Sequence, residues 1–200
     1  MSKSGSTTLS DFLNMICIIR HGKTDLNQAN VLQGRSDHPL NEEGIIEARR
    51  AAEKFKGISF SYVFSSPLQR ALQTAKIIVP DLEPIKDERL IEMDYGSYEG
   101  SDLNKLDPEL LRFFSDFVNE KAPEGMEELS DVVKRTGEFL KEIKDLEGNI
   151  LVSTHAIAMK GLLENLTPTS KGSYWAKHIG NCAVYVTEKK NGNFSIPVEI

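Results

Sequence analysis

The pattern of apolar and polar positions along the chain alternates between two kinds of segment. Short apolar runs, of which 15–19 is the most continuous, have the length and composition of buried strands. Between them, apolar residues recur at the spacing of one helix face. Strands are predicted at 15–19, 61–64, 84–90, 149–153, 183–187 and 194–198, and helices after 41, after 66, at 108–120, at 129–143 and after 155. This alternation predicts an α/β fold of three layers, α/β/α, with a mainly parallel central sheet.

Local signals predict where individual elements begin and turn. Asn41 is predicted to cap the first long helix, because asparagine is a good N-cap residue and two acidic residues follow it. Ser66 is predicted to cap the next helix, with Pro67 at its first helical position. The dipeptide at 191–192, Asn-Gly, predicts the turn of a C-terminal antiparallel hairpin.

Residues capable of anion chemistry follow three of the predicted strands. Arg20 and His21 come directly after the first strand, Arg70 lies at the start of the helix that follows the second, and His155 follows the strand at 149–153. Taken singly, each has an ordinary interpretation as a solvated arginine or a hydrogen-bonded loop histidine. Ligands bind beyond the carboxyl ends of strands in open α/β sheets, and guanidinium groups match phosphate oxygens. Together the residues predict a phosphoryl pocket.

A metal site is the rival interpretation of His21 and His155, and the sequence disfavours it. No carboxylate or thiol stands at ligand spacing beside either histidine, and two nearby arginines would repel a cation. No metal is therefore predicted.

The segment 92–126 is predicted to form a lid or insertion over the pocket.

Composition limits the classes of protein that this chain can represent. Two hundred residues suit one domain, predicted at 15–200. Residues 1–10 show no secretory pattern, and residues 1–14 are predicted to be a flexible leader. A net charge of −6 argues against a nucleic-acid surface or a polybasic membrane anchor, and no apolar run is long enough for a membrane span. Cys17 and Cys182 lie in apolar runs, which is typical of reduced thiols in a cytoplasmic protein. A monomer and a homodimer both remain open.

Several motifs resemble those of the histidine phosphatase superfamily, also called phosphoglycerate-mutase-like, and they occur in the same order. The resemblance runs from about residue 15 to residue 190. The motifs are Arg20-His21-Gly22-Lys23-Thr24 with Asn27, Gln33-Gly34, Ser65-Ser66-Pro67-Leu68-Gln69-Arg70-Ala71, Leu90-Ile91-Glu92 with Tyr95-Gly96 and Glu99-Gly100, Val152-Ser153-Thr154-His155, and 181–186. The chain departs from the family where Ala156 replaces the glycine that commonly follows the second histidine. A loose match at 123–128 suggests Glu127 as the counterpart of a further family glutamate.

This resemblance implies roles for individual residues. His21 would be the nucleophile and form a phosphohistidine. Because it must be neutral to attack, the charges of Arg20 and Arg70 should favour it by lowering the histidine pKa. Arg20, Arg70 and His155 would clamp the phosphoryl oxygens, and Glu92 would donate a proton to the leaving alcohol. The implied substrate-binding residues are Asn27, Gln33, Gly34, Thr24 and Ala156.

The activity expected from the resemblance is hydrolysis of a small phosphomonoester without metal or other cofactor. The alternative is a phosphoglycerate mutase that depends on 2,3-bisphosphoglycerate. Mutases of this superfamily carry arginines for a carboxylate in an insertion after the acidic loop, whereas residues 101–126 offer only Lys105, Arg112 and Lys121 among acidic neighbours. A third possibility, an inactive phosphate-binding module, is disfavoured because all the implied catalytic groups are present.

Overall fold

The computed structural model describes residues 14–190 and 193–200, and a mixed β-sheet forms the middle of the fold. The strand order is β3-β2-β4-β1-β5-β6, and β7 also pairs with β5. Pairing among β1 to β4 is parallel, whereas β5, β6 and β7 are antiparallel to their neighbours. The strands are β1 (Met15–Arg20), β2 (Phe60–Ser65), β3 (Ile85–Lys86), β4 (Asn149–Thr154), β5 (Val184–Lys190), β6 (Asn193–Phe194) and β7 (Val198–Glu199).

Helices cover both faces of this sheet, which confirms the three-layer α/β prediction. Successive residues of β1 point to opposite faces, and the two apolar cores divide accordingly. Ile16 and Ile18 pack with the core that includes α5 and α6, while Cys17 and Ile19 pack with α2 and α3. The helices are α1 (Asp25–Gln28), α2 (Glu42–Glu53), α3 (Gln69–Ile78), α4 (Pro108–Ser115), α5 (Leu129–Ile143) and α6 (Ala156–Leu166).

The start of α3 differs from the prediction that Ser66 caps it and Pro67 opens it. The helix begins at Gln69, and its first N–H donates to Asp37 Oδ1 at 2.7 Å. The Ser66 hydroxyl lies 2.7 Å from a ring nitrogen of His155 instead. A tertiary contact has therefore overridden the local capping signal, whereas the predicted cap of α2 is confirmed, since Asn41 Oδ1 accepts the N–H of Gly44.

Two further elements are shorter than predicted. The strand expected at 84–90 is only Ile85–Lys86, because Asp87 accepts the N–H of Arg89 and starts a 3₁₀ turn. The helix expected at 108–120 ends at Ser115, after which the Asp116 carboxylate accepts an N–H from Asn119.

The C-terminal strand predicted at 194–198 is two short pieces. Asn193–Phe194 pairs with the end of β5 and Val198–Glu199 with its beginning. Pro197, which has no N–H to donate, stands between them. The predicted turn at 191–192 lies outside the described residues.

The structure describes the last residue of the predicted leader and all of the predicted insertion. Residues 1–13 of the predicted leader lie outside the described residues, and Asn14 accepts hydrogen bonds from the N–H groups of Gly148 and Lys189. Within 92–126, buried Leu110 and Phe113 belong to a third apolar core. Its closure over the pocket stays a prediction.

Two further properties concern the helices and the cysteines. No helix in the described part of the chain has the length and apolar character needed to cross a bilayer. Cys17 and Cys182 are both free thiols, and burial raises the pKa of each to about 12.

Candidate active site

The two histidines meet because of the register between β1 and β4. Arg20 pairs with Thr154 across these parallel strands, so His21 and His155 each follow the last paired residue. The His21 N–H donates to the Thr154 carbonyl at 2.9 Å, and the two ring centroids lie 5.1 Å apart. Both rings are buried. The predicted convergence of the strand ends is thus present in the structure.

One hydrogen bond sets the tautomer of His21. Its Nδ1 lies 2.7 Å from the Gly22 carbonyl oxygen, which can only accept, so Nδ1 carries the proton and Nε2 keeps its lone pair. The His21 pKa is well below its ordinary value, first because of burial and then because of the Arg20 and Arg70 charges; the bond to Gly22 opposes the shift. Burial thus outweighs the arginine charges, which are the cause predicted from the sequence. The ring is therefore neutral at pH 7.

Arg70 is fully buried and is held by three hydrogen bonds from its guanidinium group. Nε donates to His155 Nδ1 at 3.2 Å, Nη1 to the Ser36 carbonyl at 2.8 Å and Nη2 to the Gly34 carbonyl at 2.6 Å. Burial lowers the Arg70 pKa to about 10, which still leaves the group charged at pH 7. Because a guanidinium has five N–H groups, one remains on each of Nη1 and Nη2. This side chain is fixed in place with donors to spare.

Three buried side-chain donors have no hydrogen-bond partner within residues 14–190 and 193–200. Two of them, Arg20 Nε and Gln33 Nε2, belong to predicted site residues, and the third is Lys189 Nζ on β5. Arg20 Nη1 donates to the Ile179 carbonyl, and Gln33 Oε1 accepts from the Thr24 hydroxyl at 2.8 Å. Buried polar groups are rarely left unpaired, and both of these are donors. The unpaired donors of Arg20 and Gln33 are therefore suited to bind an anion.

His155 uses both ring nitrogens within the protein. Nδ1 accepts from Arg70 Nε, so the single proton of the neutral ring sits on Nε2 and is donated to Ser66 Oγ at 2.7 Å. Burial, followed by the charge of Arg70, holds the pKa of His155 well below its ordinary value. In this geometry His155 supports Arg70 and has no ring N–H left for a phosphoryl oxygen, so the clamping role that the resemblance implied stays a prediction.

Glu92 is seated at the beginning of α6. Its Oε1 accepts N–H groups from Met93, Ile157 and Ala158 at 3.0, 3.1 and 3.0 Å, while Oε2 accepts only from Ile157, at 3.2 Å. The carboxyl is 4% exposed. Oε2, with its single long bond, is the oxygen left for proton transfer. The N–H of Ala156 is not among those that Glu92 binds.

Asn27 and Thr24 form a capping box at the start of α1. Asn27 Oδ1 accepts hydrogen bonds from the Thr24 N–H and from Asn181 Nδ2, both at 3.2 Å. The Asn27 Nδ2 group therefore points away from these two donors and can itself donate. The Thr24 hydroxyl is buried and engaged with Gln33 and the Asn27 N–H. Thr24 therefore positions other residues; the structure gives it no free group for the predicted substrate contact.

Gly34 contributes its carbonyl to Arg70 and lies in a tight space. A Cβ atom there would come within 2.6 Å of Glu99 Oε2, the Met93 carbonyl and the Tyr95 ring. Glu99 Oε1 also accepts the Gly34 N–H at 2.8 Å. Glu99 thus holds the loop that holds Arg70.

Several residues that support the site have no role predicted from the sequence. Asn181 Nδ2 donates to the His21 carbonyl at 3.1 Å as well as to Asn27. Arg135 donates to the carbonyls of Arg89 and Ile91 just before Glu92, and pairs with Glu127 at 2.7 Å. Asn181, Glu99 and Glu127 belong to segments that resemble the family motifs, whereas nothing in the sequence singles out Arg135.

Acidic and imidazole groups do not gather into a metal site here. Among the described residues, no group of three or more histidine, cysteine, aspartate or glutamate side chains could hold a metal ion.

The fold and these strand-end motifs are those of the histidine phosphatase superfamily, to which the chain belongs. The model that matches it, over residues 16–198, is that of branch 1 of this superfamily.

Relatives and solved structures in the same superfamily differ in what their names describe. A 2,3-bisphosphoglycerate-dependent phosphoglycerate mutase from Methylobacterium sp. (strain 4-46) is 37% identical, with 74% of this chain and 78% of the mutase aligned. A mutant phosphoserine phosphatase from Entamoeba histolytica, solved with phosphoserine, is 26% identical with a TM-score of 0.78, covering 93% and 94% of the two chains. A structure of the phosphatase from that organism with 3-phosphoglyceric acid is 28% identical, with a TM-score of 0.75 and the same coverage.

Proposed function

We propose that this protein hydrolyses small phosphomonoesters through a phosphohistidine formed on His21. The bond from Nδ1 to the Gly22 carbonyl carries the proposal, because it leaves the Nε2 lone pair of a neutral, buried imidazole beside two arginines. A neutral imidazole nitrogen is a competent nucleophile toward phosphorus. The similarity to a phosphoserine phosphatase supports hydrolysis of a phosphomonoester.

The first step transfers the phosphoryl group to the protein. His21 Nε2 forms a bond to phosphorus while the bond from phosphorus to the ester oxygen breaks. Glu92 donates its proton to the departing oxygen, so the product is a neutral alcohol. In the second step, water attacks phosphorus, Glu92 takes a proton from that water, and the N–P bond breaks to release inorganic phosphate. The protein returns to its starting protonation state without a cofactor.

Fixed donors would stabilise the charge on the phosphoryl oxygens. The remaining Arg70 N–H groups, Arg20 Nε and Asn27 Nδ2 are already oriented by other contacts, so little reorganisation accompanies transfer. The unpaired Gln33 Nε2 would be a further donor for the same group, and so would the Ala156 N–H at the start of α6. Gly34 acts through its carbonyl on Arg70 rather than on the substrate.

The second candidate is a phosphoglycerate mutase that uses 2,3-bisphosphoglycerate, and the 37% identity to a protein of that name favours it. Both reactions share the phosphohistidine and differ in the acceptor. Lys105, Arg112 and Lys121, the cations of the segment after the acidic loop, are all exposed. This favours water as the acceptor.

Hydrolysis of p-nitrophenyl phosphate in EDTA tests the proposal. We expect turnover in the wild type, none in His21→Ala, and wild-type turnover in the control His38→Ala, which removes an exposed histidine. A rapid quench with labelled substrate should trap an acid-labile phosphoprotein in the wild type alone. Loss of turnover in EDTA, or turnover by His21→Ala, would contradict the proposal. Efficient interconversion of 2- and 3-phosphoglycerate in 2,3-bisphosphoglycerate would establish the mutase instead.

A further inference from the structure

Arg135, on α5, is a largely buried cation that the proposed chemistry does not use. Its side chain is 15% exposed. Nη1 donates to the backbone carbonyls of Arg89 and Ile91 at 2.7 and 2.6 Å. Nε and Nη2 donate to the two carboxylate oxygens of Glu127 at 2.7 and 3.2 Å. Because the two carbonyls belong to residues just before Glu92, this guanidinium holds the chain that leads into the proposed proton donor.

Glu127 extends the same support to the other side of Glu92. Its Oε2 accepts the Asp94 N–H at 3.1 Å, and its own N–H donates to the Asp94 carbonyl at 2.9 Å. The Glu127 side chain is 11% exposed and also pairs with Arg35 at 3.3 Å. A guanidinium is suited to this place, because its planar fork can serve two carbonyls and a carboxylate at once. The Arg135–Glu127 pair therefore fixes the backbone both before and after Glu92.

The side chain of Glu92 is held by a different helix from its backbone. Its carboxylate accepts N–H groups at the start of α6, whereas the adjoining backbone is bound to α5 through Arg135. The two helices are in close contact, since a Cβ added to Gly161 on α6 would lie 2.9 Å from Thr136 Oγ1 on α5. Each helix thus fixes one end of Glu92. Without the contacts to α5, only the N–H groups of α6 and of Met93 would orient its carboxyl.

We propose that Arg135 is a positioning residue for proton transfer, which holds the Glu92 carboxyl in the orientation that protonates the departing ester oxygen. This rests on the proposed function. A proton donor must lie within hydrogen-bond reach of its acceptor, about 2.6–3.2 Å. A displacement of about 1 Å, caused by a change far from the reacting atoms, can lower the rate about 100-fold. Arg135 acts only through Glu92, so its effect follows the need of each substrate for a proton.

Two aryl phosphates of similar size test this role. p-Nitrophenolate leaves readily without a proton, whereas phenolate is more basic and depends more on protonation by Glu92. The comparison uses kcat/KM, which reports the steps up to loss of the alcohol, before water attacks. We expect Arg135→Met to lower kcat/KM about 10- to 100-fold for phenyl phosphate and less than about threefold for p-nitrophenyl phosphate. Arg135→Lys, which keeps the charge, should recover part of the loss.

Arg89→Met is the matched control. The Arg89 side chain pairs with Asp87 and Glu142, so this substitution removes ion pairs from the same segment and keeps the carbonyl that Arg135 binds. It should change both kcat/KM values by the same factor. An equal loss for the two esters in Arg135→Met, with turnover that still requires His21, would refute the positioning role and leave the proposed hydrolysis standing.

Amide hydrogen exchange measures the position of Glu92 without turnover. In Arg135→Met, the N–H groups of Ile157 and Ala158, which bind the Glu92 carboxylate, should exchange about tenfold faster relative to that of Leu163 in the same helix. Unchanged relative exchange refutes the positioning role even if neither ester is hydrolysed. Faster relative exchange without any His21-dependent turnover refutes hydrolysis and keeps the positioning of Glu92.

A second variant covers the case in which Arg135→Met does not fold. Glu127→Gln keeps an oxygen that can accept from Arg135 and loses the acceptor for the Asp94 N–H. It should show the same preference for the better leaving group, to a smaller extent. Thermal unfolding shows which of the compared proteins are folded. A folded Glu127→Gln variant that matches the wild type in both the kcat/KM ratio and the relative exchange also overturns the proposal.

Discussion

Glu92 accepts the backbone N–H of Ala158 at 3.0 Å, and so the proposed proton donor is also the cap of α6. The residue in the N-cap position, His155, makes no side-chain capping bond, because its ring is engaged with Arg70 and Ser66. One side chain therefore serves both the folding of α6 and the chemistry.

Substitutions of Glu92 should separate these two functions. Glu92→Ala removes both, and we expect it to lower the free energy of unfolding by about 1 kcal/mol, the usual value of a lost cap, and to lower kcat. Glu92→Gln keeps an acceptor oxygen and should retain most of that stability while kcat still falls by about 100- to 10,000-fold. Urea unfolding and single-turnover kinetics measure the two effects. Glu124→Gln, at an exposed acid, is the control. Equal stability of the alanine and glutamine variants would argue against the cap.

Asn181 should affect activity more than stability. Its Nδ2 joins the His21 carbonyl to Asn27 Oδ1, so Asn181→Ala frees both, and we expect kcat/KM to fall about tenfold for the loss of one to two hydrogen bonds. Asn165→Ala is the matched control, since that amide donates to the carbonyls of Val133 and Gly161. It should reduce the melting temperature with little change in kcat/KM. The same kcat/KM in both variants would show that Asn181 has no positioning role.

Acid should destabilise this protein through its two buried histidines. The pKa values of His21 and His155 are both depressed on folding, so below the ordinary value of 6.5 the unfolded chain binds protons that the folded chain does not. The contribution of the two neutral histidines to the free energy of unfolding is fully present above pH 6.5 and is lost as the pH falls below it. Urea unfolding at pH 7.5, 6.5 and 5.5 should show this decline, with a shallower slope for His21→Gln. An identical slope in that variant would contradict the depressed pKa of His21.

Gly34→Ala should disturb Arg70 through its support. The added methyl group would meet backbone and ring atoms of Met93 and Tyr95 at 2.6 Å, and relief of that contact moves the carbonyl that Arg70 binds. We expect a loss of about 1–3 kcal/mol in unfolding free energy, as for other overpacked sites, and a higher KM. Gly180→Ala is the control, because its Cβ would meet nothing within 4 Å. If both variants have the unfolding free energy and KM of the wild type, the close packing at Gly34 does not position Arg70.

The sequence was most informative where function depends on strand ends. The positions of His21 and His155 followed from two apolar runs and the rule that parallel strands end at the same edge, and the register confirms that inference. The cap of α3 was predicted wrongly, since nothing local reveals that the Ser66 hydroxyl faces a histidine 89 residues away.

Supporting contacts were missed for a related reason. Asn181 bonds to a backbone carbonyl 160 residues away, and Lys160 bonds to the carbonyl of Trp175 across a loop. Backbone acceptors carry no residue-specific signal, so neither contact leaves a pattern along the chain. The burial that lowers the pKa of His21 likewise could not be predicted without the fold, whereas the effect of the neighbouring arginine charges could be predicted from the sequence.

The 5.1 Å between the rings of His21 and His155 is close to the 4.7–4.9 Å that separates hydrogen-bonded strands. The distance between the two histidine rings is thus set by the spacing of hydrogen-bonded strands. That spacing is the same in every parallel strand pair, whatever its side chains. Mutational drift in the cores on either side leaves that spacing intact.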